Sequence, residues 1–394
     1  MQQGIVVMRY CTKCVQPDTR PNIFFNEQGV CGACLWEEEK KKIDWAARKQ
    51  DLASICQWAK SQKAPYDCVI GISGGKDSTF QALYMRDEMK LRPLLVCSEP
   101  CQTTELGAKN LENIKNLGFD VITLSADKQL LKKLFRKDFF KIGNPNRASE
   151  YCLHSSVFII ADKFDIPLIV NGENPGQTLG VADMKAAGGD ATQIWTTNTV
   201  KQNILDAYAD DADYEDLFMY QANMPSIIKK GIRGVWLSNY IKEWGQLHNA
   251  IFSLRHGLSI LPSSMDPYDK GLYRRFSALD HSFREVNQLL KYIKFGFGFT
   301  TDQACYDIRD GEISRDEAIF LVKELDGGCG TPHITSFCQL IDIDEGEFWE
   351  VANSFRGKMW SKEKGKWVLD NPIWEQEPVK GTYTVRDIMN RLSI

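Results

Sequence analysis

Gly71-Ile72-Ser73-Gly74-Gly75-Lys76-Asp77-Ser78 decides how this chain folds. The apolar run Cys68-Val69-Ile70 precedes it and reads as a buried strand. Thr79 to Met89 follows it, with Phe80, Leu83 and Tyr84 at helical spacing. Strand, glycine-rich loop and helix together make an anion cradle, because backbone N–H groups and a helix N-terminus converge on one point. Gly74 and Gly75 let the backbone approach a phosphate, Ser73 and Ser78 add hydroxyl donors, and Lys76 adds a point charge. Asp77 repels a bare phosphate, so its presence points to bound Mg²⁺. The spacing excludes a Walker A loop, which needs Gly-x-x-x-x-Gly-Lys-Ser/Thr.

Downstream the pattern alternates. Pro93–Cys97, Val121–Leu124 and Pro167–Val170 read as strands, and Val235-Trp236-Leu237 as a further one. Between them Thr104–Leu117, Lys128–Phe140 and Arg147–Phe164 read as helices, the first capped by Thr104. Such alternation predicts a parallel sheet covered on both faces, with ligands beyond the carboxyl ends of the strands. Three loops lie there: Ser73–Ser78, Ser98–Glu105 and Asn171–Thr178. Ser98 and Gly172 are candidate nucleotide contacts, with Gly71, Ser73, Gly74, Gly75, Lys76, Asp77 and Ser78. Glu173 is a candidate to hold Mg²⁺ or polarise an incoming amine. Cys152 and His154 invite a nucleophile reading, but residues this close on a helix diverge, which favours packing.

Upstream, Cys11-x₂-Cys14 and Cys31-x₂-Cys34 are separated by 16 residues. That pairing predicts a four-cysteine structural Zn²⁺ site, with turns at Gly29 and Gly32 and a short strand at Asn22–Asn26 between the knuckles. Trp36 to about Lys63 reads as one charged helical stretch. In the other direction, residues 182–224 look like an insertion or lid with an acidic run. Lys294–Asp302 alternates glycine and phenylalanine and reads as a loop that approaches a ligand. Ser314 and Glu317 form a capping box. Trp349, Phe355, Trp360, Trp367 and Trp374 read as core. The expected domains are 1–45, a zinc-ribbon head; 46–240, the nucleotide domain; and 241–394, mainly helical.

The chain has 394 residues, a net charge of −4 and 43% hydrophobic residues. The charge argues against a general nucleic-acid binder. No apolar run approaches a membrane span, and Met1–Arg9 lacks the basic lead of a signal peptide, with Met8 an alternative start. Twelve cysteines then suit a reducing cytoplasm.

The Ser-Gly-Gly-Lys-Asp-Ser loop resembles that of the PP-loop ATP pyrophosphatases. The order of the cysteine pairs, this loop, Asn171-Gly172-Glu173-Asn174 and Phe295–Asp302 followed by Ile308–Ala318 resembles the N-acetyl sugar amidotransferases of surface-polysaccharide synthesis, WbpG- and PseA-like. The resemblance runs from Arg9 to about Gly328. It implies an α/β core of the adenine nucleotide alpha hydrolase type. It also implies ATP with Mg²⁺, and conversion of an acetamido group on a nucleotide-linked N-acetyl sugar to an acetamidino group through an adenylated imidate. Lys76, Asp77 and Glu173 would be the catalytic residues. The implied nitrogen source is a separate glutaminase pair, similar to the two subunits of imidazole glycerol phosphate synthase. The sequence agrees: the chain begins Met-Gln-Gln-Gly, without the N-terminal cysteine of one glutaminase class, and Gly327-Gly328-Cys329-Gly330-Thr331 lacks the elbow of the other. A PP-loop tRNA-modifying enzyme, an ATP-binding sensor and a zinc-ribbon scaffold are the alternatives.

Overall fold

The computed structural model describes residues 8–181, 189–196, 200–213 and 215–393. Five parallel strands form one sheet in the order β3-β2-β1-β4-β5. They are β1 Cys68–Ile72, β2 Pro93–Ser98, β3 Val121–Leu124, β4 Leu168–Asn171 and β5 Arg233–Trp236. β1 pairs with β2 from Cys68↔Pro93 to Ile72↔Cys97, and with β4 from Cys68↔Leu168 to Ile70↔Val170. Strand alternation sends Ile70, Ile72, Leu95 and Val170 to one apolar cluster and Val69, Val96 and Ile169 to another, so both faces are covered. This is the parallel α/β sheet that the alternation predicts. The strand order reverses between β1 and β4, and that switch opens a crevice at their carboxyl ends.

Seven helices of the first half are α1 Gly32–Lys40, α2 Trp45–Ser61, α3 Lys76–Leu83, α4 Glu105–Asn116, α5 Lys128–Ile142, α6 Arg147–Lys163 and the short α7 Pro175–Thr178. The stretch expected as one helix from Trp36 is broken. α1 ends at Lys40, and Asp44 caps α2 by accepting from the N–H groups of Ala46 and Ala47. The expected strand at Asn22–Asn26 is also absent. Isolated bridges Ile23↔Val181 and Phe25↔Cys31 tie that segment to two separate partners. Gly32 makes no turn: it opens α1, and a Cβ there would lie 2.9 Å from the Gly180 carbonyl oxygen. Its smallness serves close packing.

The C-terminal region is mainly helical, with one antiparallel hairpin, β6 Trp360–Glu363 and β7 Lys366–Leu369. Lys364 and Gly365 both take positive φ in its two-residue turn. The predicted capping box at Ser314 and Glu317 forms. The aromatic group near the end is not a dry core: Trp360, Trp367 and Trp374 are half-buried and Trp349 is exposed. The cysteine head shares one apolar cluster with Leu272, Ala304, Ile319, Ile373 and Ile388 of the C-terminal region. Within 182–224, residues 182–188, 197–199 and 214 lie outside the described residues. Val200, Ile204, Tyr208 and Tyr220 pack into a core with α5 and α6, so that part is structural filling. No helix among the described residues is long and apolar enough to cross a membrane.

Candidate active site

The helix after β1 begins at Lys76, earlier than its apolar spacing suggests, with Gly75 as N-cap. Lys76, Asp77 and Ser78 therefore occupy its first turn. Gly74 has φ +82°, and a Cβ on it would sit 2.9 Å from the Leu111 nitrogen on α4. Both facts require glycine. The Lys76 ammonium meets Asp77 Oδ2 at 2.7 Å, and Asn249 Nδ2 donates to Asp77 Oδ1 at 2.8 Å. Ser253 Oγ donates to the Lys76 carbonyl at 2.7 Å. Asn249 and Ser253 stand on the Gln246–Arg255 helix, which thus fixes the turn from behind. Ser78 Oγ donates to the Gly75 carbonyl at 3.1 Å, within its own helix.

These residues face a cleft of about 330 Å³. Ser73, Gly75, Lys76 and Asp77 form one wall, and Glu173, from the loop after β4, stands beside them. The opposite wall comes from the C-terminal region: Arg274, Phe276, Ser277 and Asp280 from one loop, then Phe299, Asp302, Gln303, Tyr306 and Asp307 from the Phe299–Arg309 helix. A second cavity of about 450 Å³ adjoins it through Ser73 and Asp280. It lies beyond β2 and β3 and is lined by Cys97, Ser98, Pro100, Leu111, Thr123 and Leu131 among others. Of the residues singled out in the sequence, Ser73, Gly75, Lys76, Asp77 and Glu173 converge on the cleft, and Ser98 lines the second cavity. Gly71 packs against Val157 and Gly172 against Gln81 and Trp244. Cys152 also lines the second cavity; burial pushes its thiol up to about 12, unlike a nucleophile.

Burial, then the charge of Asp77, pushes the Glu173 carboxyl up to about 7, against the pull of Lys76, the Tyr306 hydroxyl and Arg309. Tyr306 Oη donates to Glu173 Oε2 at 3.4 Å. Opposite, Arg274 makes a two-pronged pair with Asp307, 2.8 Å at each prong, and Tyr273 Oη adds a third bond to that carboxylate at 2.6 Å. Asp302 lies between Arg20 and Lys291. Burial opposes its ionisation, yet those cations hold it below the usual carboxylate range. Gln303 accepts from the Tyr273 nitrogen through Oε1, while its buried Nε2 has no partner among the described residues.

The sequence offered no signal for Arg274, Ser277, Gln303 or Tyr306. They are spread over more than one element and form no motif. The glycine–phenylalanine stretch, expected as a ligand loop, is a helix-to-helix connection: Gly296, at φ +73°, ends one helix and Gly298 caps the next. Its contribution to the cleft is Phe299 and Asp302, just inside that second helix.

The sulfurs of Cys11, Cys14, Cys31 and Cys34 all lie within 4.8 Å of one another and are buried. The Cys14–Cys31 separation is 3.7 Å, close to the edge of about 3.8 Å that a tetrahedron with Zn–S near 2.3 Å would have. Hydrogen bonds from the other three hold Cys11 ionised, and Cys11 in turn pushes those three up. Four sulfurs at this spacing could all ionise only around a divalent cation, and the donor set fits Zn²⁺. The head matters to the cleft by contact. α1 packs on α7, directly after Glu173, and a Cβ on Gly180 would strike the Ala33 nitrogen at 2.4 Å.

Comparison with known proteins bears on the wall the sequence could not explain. Residues 270–373 match the family model described as LPS biosynthesis protein WbpG-like, C-terminal domain. Residues 270–373 are thus similar to the C-terminal domain of that family. That WbpG-like segment contains Arg274 to Asp280 and Phe299 to Asp307, the whole far side of the cleft. An uncharacterized protein of Methanocaldococcus jannaschii, MJ1599, is 24% identical over 178 residues, 44% of this chain. The match spans 63% of that relative, less than two thirds of its length. The structure of NMN synthetase from Francisella tularensis aligns at 14% identity over 56% of this chain and 99% of that one, with a TM-score of 0.28. The fold is defined by the strand order β3-β2-β1-β4-β5.

Proposed function

We propose that this chain is an ATP-using amidotransferase that converts the acetamido group of an N-acetyl sugar, carried on a nucleotide, to an acetamidino group in surface-polysaccharide synthesis. One observation carries the reading: a PP-loop-type turn and the WbpG-like segment face each other across a single cleft. The adjoining cavity beyond β2 and β3 takes the nucleoside of ATP, and the triphosphate runs past Ser73 to Asp77. The acceptor lies against Ser277, Asp280 and Gln303.

An amide carbon is a poor electrophile, and its oxygen is a poor leaving group. Attack of that oxygen on the α-phosphorus expels pyrophosphate and gives an imidoyl adenylate. Ammonia adds to the imidate carbon, the C–O bond to AMP breaks, a proton is lost, and the amidine remains. Lys76 and the N–H groups of the α3 turn stabilise charge on the leaving pyrophosphate. Asp77, a carboxylate beside a glycine turn, is the donor type Mg²⁺ uses with phosphates, and it would hold that ion there to neutralise phosphate charge. Glu173, anchored by Tyr306, orients the incoming ammonia. The rest is positioning. The ammonia comes from a separate glutaminase pair.

The test is incubation with Mg-ATP, ammonium and UDP-linked N-acetyl sugars. AMP, pyrophosphate and a sugar whose mass reflects exchange of O for NH are expected. AMP release that depends on tRNA, or ATP bound without turnover, would overturn the reading.

A further inference from the structure

A narrow third cavity, about 40 Å³, also reaches Glu173. Its outer part is formed by Trp36, Glu37 and Lys40 of α1 and by the exposed Asp310. Trp244 and Gly245, on the turn before the Gln246–Arg255 helix, also line it. Its inner end is shared: Glu173, Gln246 and Tyr306 line both this cavity and the cleft. The Tyr306–Glu173 hydrogen bond, 3.4 Å long, is therefore part of the partition between them.

We propose that this cavity is the passage by which ammonia reaches the reacting centre; the proposal rests on the amidotransferase reading above. Three observations support it. The first is size. One water-sized molecule needs about 10–15 Å³ of such space, so about 40 Å³ admits a molecule like ammonia and is too small for a sugar or a nucleotide. The second is placement. ATP and acceptor fill the wide cleft from its own mouth, so the third reactant needs another approach, and this one ends at the carboxylate beside the phosphate turn. The third is charge. Glu37 is paired with Lys40 at 3.1 Å, and Arg309 donates to the Thr178 carbonyl at 3.2 Å. Lys40 and Arg309 thus stand against Glu37 and Asp310 along the walls, with Glu173 at the shared end, so no excess of positive charge repels an amine and two indoles line the way.

Gly245 offers the test. Its φ of −172° is extended backbone open to any residue. The nearest atoms to a Cβ there are Glu243 O at 3.8 Å and Asp310 Oδ2 at 3.9 Å, so a side chain fits and points into the passage. Gly245→Leu should raise the KM for ammonium about tenfold or more, an effect on one binding step, and leave acceptor-dependent ATP–pyrophosphate exchange without ammonium unchanged. Trp36→Ala should widen the passage and let methylamine yield an N-methyl amidine that the native chain does not form. An unchanged ammonium KM in Gly245→Leu, or loss of exchange together with amidation, overturns the passage when Trp36→Ala also leaves methylamine rejected. If the native chain makes no amidine from ammonium at all, the amidotransferase reading fails instead.

Discussion

One wall of the cleft is a single stretch of chain, and the other is an assembly. Ser73 to Asp77 hold their positions through a strand end, a left-handed glycine and the first turn of α3. The facing wall draws on a loop and a helix separated in sequence and locked by ion pairs: Arg274 with Asp307, and Asp302 with Arg20 and Lys291. The side chains of Arg274 and Asp307 are each only 3% exposed. The difference teaches that the two walls should fail differently. The first loses chemistry when altered, whereas the second loses structure, because a buried charge without its partner is far costlier than the pair is worth.

The sharpest way to break that contrast is Arg274→Met. It strands Asp307 in the interior, and stability should fall by about 3–5 kcal/mol, read as a lower thermal midpoint. A midpoint close to the native one would show that the wall is held by packing alone. Lys76→Met attacks the other side. AMP release should drop by about 10²–10³-fold while the melting curve stays near native, since the turn keeps its bonds to Asn249 and Ser253. A matching loss of stability would erase the distinction.

Gln303→Leu probes whether the assembled wall also binds. Its free Nε2 should be donating to the acceptor, so acceptor KM should rise by about 1–2 kcal/mol worth of binding, with KM for ATP unchanged. Equal shifts in both would place Gln303 in packing only.

The smallest effect concerns Glu173, between the walls. Its folded pKa of about 7 lies above the unfolded value of about 4.3. Between those values the unfolded chain ionises first, so this group lowers stability as pH rises from about 4 to about 7, and the deficit persists above. In Mg²⁺-free buffer Glu173→Gln should therefore gain about 1–2 kcal/mol at pH 8, the full shift being discounted because the side chain is only half-buried, and nothing at pH 4, while amidation falls. A gain independent of pH would point to packing instead of charge.

The contiguous wall was legible because local rules write it: strand, glycines, cation, helix. The sheet was legible from βα alternation, and the cysteine site from its paired spacing. The break at Lys41–Asp44 has a local signal, the Asp44 cap, that the charged run around it masked, whereas the bridges at Ile23 and Phe25 depend on partners outside the segment. Among the site residues, Gln303 and Tyr306 look in sequence like ordinary polar positions of a helix. Only the docking of that helix against the cysteine head turns them toward the cleft.

By itself, then, the amino-acid sequence determined the parallel sheet, the phosphate turn and a sulfur cluster suited to Zn²⁺, since each depends on neighbours within a few residues or on a fixed spacing. The tertiary structure decided the far wall of the cleft, the partition at Glu173 and the passage behind it. Those surfaces exist only where α1, the turn at Gly245 and the Phe299–Arg309 helix pack together, and no local propensity specifies which faces of three distant segments will meet.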